Sequence, residues 1–238
     1  MHIGIIGYGK MGREIEKSAL KKGHSIEFII DENNKEDLNN NNLKKIDVAI
    51  EFTRPVAAFE NIRKCLEAKT PVVSGTTGWL AKYNEAVELC RKINGSFLYA
   101  SNFSIGVNIL FHLNATLAKI MNNFEQYDVE INEIHHTAKL DSPSGTAITL
   151  ADSIIKNVER KKEWKNKQTA NKQTLSILSE RKDTVPGTHI IKYNSNVDCI
   201  ELKHEAKSRA GFAHGAIIAA EFIKNKIGVY RMEDVLGI

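Results

Sequence analysis

Six residues near the N-terminus narrow the fold of this chain more than any others. Gly7-Tyr8-Gly9-Lys10-Met11-Gly12 is a G-x-G-x-x-G run set between a short apolar segment, His2–Ile6, and a helical pattern, Lys10–Lys22. Each glycine of such a turn meets a separate steric demand. The first permits a tight reversal, the second lets the backbone approach a pyrophosphate, and the third lets helix and strand pack closely. The N–H groups of the helix start and the helix dipole then hold anionic oxygens. Asp31 follows nineteen residues after Gly12, at the end of the next apolar segment, Ser25–Ile30. A carboxylate there accepts hydrogen bonds from the ribose of a dinucleotide. The turn and its acidic partner predict a nicotinamide dinucleotide site built from Gly7, Tyr8, Gly9, Lys10, Met11, Gly12 and Asp31. Asp31 suits a free 2′-hydroxyl and repels a 2′-phosphate, and Glu32 adds a second negative charge with no arginine beside it in the sequence. NADH is therefore expected over NADPH, with Lys35 in the following loop the one basic group placed to serve a phosphate.

The rest of the first hundred residues repeats the strand–helix alternation. Asp47–Phe52, Pro71–Ser74 and Ser96–Ala100 read as further strands, separated by helical stretches at Val56–Ala68 and Leu80–Ile93. Alternation at this spacing means right-handed βαβ units and a parallel sheet. Asp31–Asn42, with four asparagines in a row from Asn39, reads as a polar loop. After Asn102 the pattern changes. A helix over Gly106–Asn122 leads into strands at Tyr127–His135, Thr174–Arg181, Thr188–Tyr193 and Cys199–His204, interrupted by a helix from Gly145. Strands with few crossover helices predict a mixed or antiparallel sheet, hence a second domain. Phe212–Lys224 is alanine-rich and helical in spacing, with too many small residues for a surface helix. It is expected to pack back on the first sheet. Residues 1–104 with 210–238 then form one domain, and 105–209 an insertion.

Composition excludes several classes. A net charge of +4 on 238 residues is far below the charge density of a nucleic-acid binder. The densest basic stretch, Lys156 to Lys172, has no interleaved aromatic platform and reads as a solvated helix end and loop. No apolar run reaches the ~20 residues of a membrane span. The three cysteines, Cys65, Cys90 and Cys199, are far apart and form no pair, as expected of reduced thiols in the cytoplasm.

Two short loops follow strands at the edge where open α/β sheets bind ligands. Gly75-Thr76-Thr77-Gly78 follows the fourth strand, Pro71–Ser74, and Ala100-Ser101-Asn102-Phe103 comes at the end of the fifth. Gly75, Thr76, Thr77, Ala100, Ser101, Asn102 and Phe103 are expected to line the nicotinamide. The most unusual stretch, Glu133 to Ala147, leaves a strand through His135 and His136, passes Lys139, and enters a helix at Ser144-Gly145-Thr146. Adjacent histidines on a strand point to opposite faces, and no HExxH or cysteine pair adds ligands, so no metal site is expected. A cation, an imidazole and a helix start able to hold an anion fit a small dicarboxylate.

Taken together, these residues resemble the 4-hydroxy-tetrahydrodipicolinate (dihydrodipicolinate) reductase family over nearly the whole chain. The carriers are Gly7–Gly12, Phe52-Thr53-Arg54-Pro55, Gly75–Gly78, Ser101–Asn108, Glu133–Ala147 and Val185-Pro186-Gly187-Thr188. The pattern His-His-x-x-Lys-x-Asp-x-Pro-Ser-Gly-Thr-Ala is complete from His135 to Ala147. The resemblance implies an α/β architecture, a Rossmann-like parallel-sheet dinucleotide domain with an inserted α+β mixed-sheet domain for substrate binding and assembly into a homotetramer. It implies hydride transfer from NADH or NADPH to a cyclic dicarboxylate imine. His135 would be the general acid, and Lys139 a second proton donor or electrostatic anchor. His136, Ser144, Gly145 and Thr146 would hold the substrate carboxylates. The span from Val185 to Arg209 is shorter than the family pattern, which places a trimmed strand or interface loop there.

Overall fold

A computed structural model describes residues 1–208 and 210–238. They divide into two compact units, Met1–Ile105 with Ala210–Ile238, and Gly106–Arg209. Arg209 itself, at the end of the expected insertion, lies outside the described residues. In chain order the strands are β1 (His2–Ile6), β2 (Ser25–Ile30), β3 (Val48–Glu51), β4 (Val72–Ser74), β5 (Ser96–Tyr99), β6 (Asp128–His135), β7 (Glu163–Lys165), β8 (Thr174–Arg181), β9 (Thr188–Asn194), β10 (Cys199–Glu205) and β11 (Gly228–Tyr230). The α-helices are α1 (Lys10–Lys21), α2 (Asn40–Leu43), α3 (Pro55–Glu67), α4 (Tyr83–Lys92), α5 (Ile105–Met121), α6 (Gly145–Asn157), α7 (Ala210–Ile223) and α8 (Met232–Leu236).

The first unit is built on a six-stranded parallel sheet ordered β11-β5-β4-β3-β1-β2. Its central strands are apolar on both faces because helices cover both. Ile3, Ile5, Val48, Ile50, Val73 and Leu98 pack with α1 and α7. Ile6, Ala49, Val72 and Phe97 point the other way, into a cluster with α3 and α4. From β1 the chain goes to β2 on one side and then crosses to β3 on the other. The turn after β1 therefore sits at the reversal of strand order, where such sheets bind ligands at the carboxyl ends.

The small residues of α7 do the work expected of them. Ala213, Ala216, Ala219 and Ala220 are fully enclosed against the sheet. A Cβ on Gly215 would lie 1.7 Å from the Phe103 carbonyl oxygen, so the helix lies directly on the chain that leaves β5. Gly215→Ala must push α7 off that carbonyl, and overpacking of this kind costs about 1–3 kcal/mol. Thermal melting should show a drop of several degrees for this variant, and an unchanged midpoint would refute the close approach.

Several elements, the short helix α8 among them, went unread in the sequence or differ from it. β11 adds an edge strand after α7, and β7 adds one to the second sheet. Asp31–Asn42 is more than a polar loop. It holds a 3-10 turn at Lys35–Asp37 and the helix α2, with Leu38 and Leu43 buried. Its asparagines cap and tie the backbone: the Asn39 side chain accepts from Asn42 N–H at 3.1 Å, and the Asn42 amide donates to the Asp37 carbonyl at 2.9 Å.

The second unit carries a mixed five-stranded sheet, β10-β9-β6-β8-β7, with β6 antiparallel to β9 and parallel to β8. α5 and α6 cover one face around Ile131, Leu150, Ile154, Ile177 and Tyr193. The basic stretch is not wholly solvated. Lys161 is 2% exposed, with its ammonium 2.7 Å from Asp128 and donating to the Thr174 carbonyl at 3.1 Å. Arg160 donates to the carbonyls of Met121, Asn122 and Tyr127, closing the end of α5 with a cation. Cys65, Cys90 and Cys199 are free thiols. Among the described residues, no helix is long and apolar enough to cross a membrane.

Candidate active site

The first unit presents the glycine turn as a cradle. Gly7 has φ +97°, and a Cβ there would lie 2.0 Å from the Phe52 carbonyl oxygen. A Cβ on Gly12 would lie 2.2 Å from the Gly7 carbonyl oxygen. Nothing lies within 4 Å of a Cβ on Gly9, so the protein's own packing does not ask for glycine there. A turn closed at its ends and open at its middle is what a bound pyrophosphate requires. Gly9 is the N-cap of α1 and no side chain caps the helix start, which leaves the Lys10–Gly12 N–H groups for an anion. Tyr8 turns sideways, donating to Glu16 beneath the Arg13 guanidinium. Gly7 N–H donates to the Ile30 carbonyl at 2.8 Å, which sets the end of β2 and Asp31 beside the turn. One Asp31 oxygen accepts from Asn33 N–H at 2.7 Å, and this fixes the exposed carboxylate.

Two groups at this edge were not foreseen. Arg54, from the loop after β3, is ion-paired with Glu32, so an arginine does stand beside the acidic pair. The sequence separates them, but β2 and β3 both neighbour β1 and end at the same edge. Glu51 closes the otherwise apolar β3 and is fully buried. It accepts from Thr53 N–H at 3.1 Å, Thr76 Oγ1 at 2.9 Å and Ser74 Oγ at 2.6 Å, as well as from the Thr53 hydroxyl. That carboxylate ties the Phe52-Thr53 loop to the Gly75-Thr76-Thr77 turn. The Phe52 and Phe103 rings meet in a tilted pair with centres 5.5 Å apart, and Ala100 N–H donates to the Ser74 carbonyl at 3.2 Å. Ser101 is exposed and Asn102 half-buried, its side chain accepting from Ser104 N–H at 2.9 Å.

The second unit gathers its polar groups by strand register. Alternation along β6 puts Glu133 and His135 on one face, and His136 is the first residue beyond the strand. Across β9, Glu133 pairs with His189, and across β8, His135 pairs with Arg181. Glu133 is wholly enclosed, and its Oε2 lies 3.5 Å from His135 Nδ1 and 3.7 Å from His189 Nε2. Its Oε1 faces Arg181 at 3.4 Å, and Ser144 N–H donates to it at 3.0 Å. Burial pushes the Glu133 carboxyl up, but donors from Ser144 and Ser179 and the charge of His135 outweigh it and leave the group below its usual range. Burial lowers His135, with Lys139 and Arg181 adding to the effect and Glu133 opposing it. His189 is pushed down to about 3, chiefly by burial.

The chain after β6 turns back on itself, with Lys139 N–H donating to the His136 carbonyl at 3.1 Å. The Lys139 ammonium lies 2.8 Å from Asp141, and Arg181 fastens the Asp141 carbonyl at 2.6 Å. The Ser142–Pro143 bond is cis. Ser144 is buried as the N-cap of α6, accepting from Ala147 N–H at 3.2 Å and meeting His189 Nε2 at 3.1 Å. Gly145 is exposed and Thr146 half-exposed at the first turn of α6. Glu133, His135 and His189 offer ligand atoms within 4.8 Å of one another, a spacing a metal ion could span. Arg181 already balances that carboxylate, and His189 goes unmarked in the sequence because only the β6–β9 register brings it in.

Family models divide the chain as its geometry does. The model described as dihydrodipicolinate reductase, N-terminus, matches residues 1–103, and that described as dihydrodipicolinate reductase, C-terminus, matches 106–236. The chain belongs to the dihydrodipicolinate reductase family. A curated relative from Christiangramia forsetii, 4-hydroxy-tetrahydrodipicolinate reductase, is 49% identical over 100% of this chain and 98% of its own length. One of the same name from Neisseria meningitidis serogroup B is 35% identical over 82% of this chain and 74% of its own length. A dipicolinate-bound dihydrodipicolinate reductase from Paenisporosarcina sp. TG-14 shares the fold, with TM-score 0.78 at 24% identity over 97% of both chains. As a dihydrodipicolinate reductase, the chain is an NAD(P)H-dependent oxidoreductase of diaminopimelate and lysine biosynthesis.

Proposed function

We propose that the chain performs its reduction with His135 as general acid and Lys139 as the cation that steadies developing negative charge. The reaction is reduction of 4-hydroxy-tetrahydrodipicolinate to tetrahydrodipicolinate, in which one hydride and one proton enter and one water leaves. Bound NAD(P)H supplies the hydride. The observation that carries the roles is the Glu133–His135 pair at the end of β6, with Lys139 returned towards it by the His136–Lys139 turn. A histidine donates a proton near neutral pH, and an adjacent ammonium stabilises the charge that precedes it. Lys139 serves as second proton donor or electrostatic anchor. The start of α6 at Gly145 and Thr146, with His136, takes the substrate carboxylates. Ser144 shapes that start, because its hydroxyl is engaged by Ala147 and His189.

On this reading the first unit binds the dinucleotide through Gly7–Gly12, Asp31, Gly75–Thr77 and Ala100–Phe103, and the second binds substrate. Asp31 favours NADH, since among the described residues no cation pairs with it, whereas Glu32 is offset by Arg54. Asp31→Ala should weaken NADH well before NADPH, by about tenfold, the worth of one hydrogen-bonded ribose contact. Equal losses in parallel titrations would remove Asp31 from the ribose. Half-exposed Ile134 and Ile190 on the uncovered face of the second sheet support a homotetramer assembled there, which light scattering tests. Free, dispersed thiols support a cytoplasmic location. The deciding experiment follows NADH and NADPH oxidation with substrate generated from pyruvate and aspartate semialdehyde by the preceding synthase. Oxidation that requires both proteins establishes the activity, and folded protein that binds NADH without oxidising it overturns it.

A further inference from the structure

We propose that Glu133 is the positioning residue of His135: its buried carboxylate holds Nδ1–H, so that Nε2 is the atom that delivers the proton. The inference rests on the general-acid role of His135 given above and names the group that makes one ring nitrogen the donor. Three observations carry it. His135 Nδ1 is enclosed and has no hydrogen-bond partner within normal reach, and the carboxylate oxygen Glu133 Oε2 stands 3.5 Å from it. Contacts of this kind tighten when substrate closes the site. An enclosed nitrogen facing a carboxylate is least costly as a donor, which assigns the proton of the neutral ring to Nδ1.

The carboxylate is itself held on every side. Ser144 N–H reaches both oxygens, at 3.0 and 3.2 Å, Arg181 takes Oε1, and His189 faces Oε2 from β9. His189 stays neutral through its burial, so it does not compete with His135 as a cation for Glu133. Gly187 keeps the other edge of the ring clear. A Cβ there would lie 3.1 Å from His135 Nε2 and 3.2 Å from Cδ2, in the space a proton acceptor needs.

The sign of the pH effect follows from the groups that face His135. Glu133 on β6 and Asp141 in the loop beyond it favour the imidazolium, whereas Lys139, Arg181 on β8 and burial disfavour it; His189 on β9 is neutral. Glu133→Gln removes the main favourable charge. The acid form is then lost at lower pH, and the falling basic limb of kcat/KM moves down by about one pH unit. Turnover should fall about 10- to 100-fold while KM for NADH changes less than about twofold. Glu133→Asp keeps the charge and should return the limb to its original position. A Glu133→Gln enzyme that loses turnover with its limb unmoved overturns the proposal. Nitrogen NMR of the unaltered protein reads the same point without a variant. The neutral His135 ring, assigned by the signal missing in His135→Gln, should carry its proton on Nδ1, and a proton on Nε2 overturns the proposal. If His135→Gln itself turns over normally, the general-acid role falls first.

Discussion

His135→Gln should lower turnover by about 10²–10⁴-fold, the usual contribution of a positioned proton donor. NADH affinity should stay within about twofold, because the glycine turn and Asp31 belong to the other compact unit. Glutamine keeps the bulk of the side chain and one hydrogen-bonding end, so the loss reports proton delivery more than a cavity. Its Cβ also stays on the face shared with Glu133, Ile131 and Val129, which preserves the strand pattern. The contrast to draw is with Lys139→Ala. A charge anchor lost there should raise substrate KM together with the loss of rate, since ground state and transition state both carry the carboxylates. Near-normal turnover in His135→Gln would remove this histidine from the chemistry, and Lys139 would become the leading donor.

Gly7→Ala should raise the Kd for NADH by about 10²-fold or more. Its methyl would fall 2.0 Å from the Phe52 carbonyl oxygen, and the residue would hold φ +97°, where side chains are strained. Backbone must move by an ångström or so to relieve the contact, and a displacement of that size in a ligand-holding turn costs about two orders of magnitude. Gly9→Ala makes the argument sharper. Beyond its own chain neighbours nothing lies within 4 Å of its added methyl, so melting should be unchanged while NADH binding weakens. Fluorescence titration of both variants checks the pair. Full-strength binding in Gly9→Ala would mean that the pyrophosphate does not approach this turn.

Local pattern carried most of the fold. β2 and β8 begin and end where periodicity places them, because runs such as Ser25–Ile30 are rich in β-branched and aromatic residues and bounded by polar turns. The strands β7 and β11 span only Glu163–Lys165 and Gly228–Tyr230, too short for any period to register. The asparagine run misled for a different reason. Its side chains replace backbone partners at the ends of short helices, so a segment polar in composition still buries Leu38 and Leu43. For the candidate site, the residues that sequence reading singles out are close in sequence: the glycine turn, Asp31, and the stretch from His135 to Thr146. Glu133, Arg181 and His189 meet only through the register of three strands, and Arg54 meets Glu32 only through the order of β2, β1 and β3. No spacing rule connects such residues. The clues were indirect: an acid at a core-facing strand position for Glu133, and another closing the apolar β3 for Glu51.

The helix α7 and the strand β11 complete a sheet whose other five strands were finished a hundred residues earlier in the chain. On the ribosome, Ile3, Ile5, Val48 and Ile50 therefore wait with that face covered only by α1 until Ala213–Ile223 has emerged. The intervening unit has its own enclosed core and is synthesised whole in that interval. Domains tend to fold as units in the order in which they appear. Here that order is inverted for closure, and the first layer keeps apolar surface uncovered until the last stretch of chain arrives.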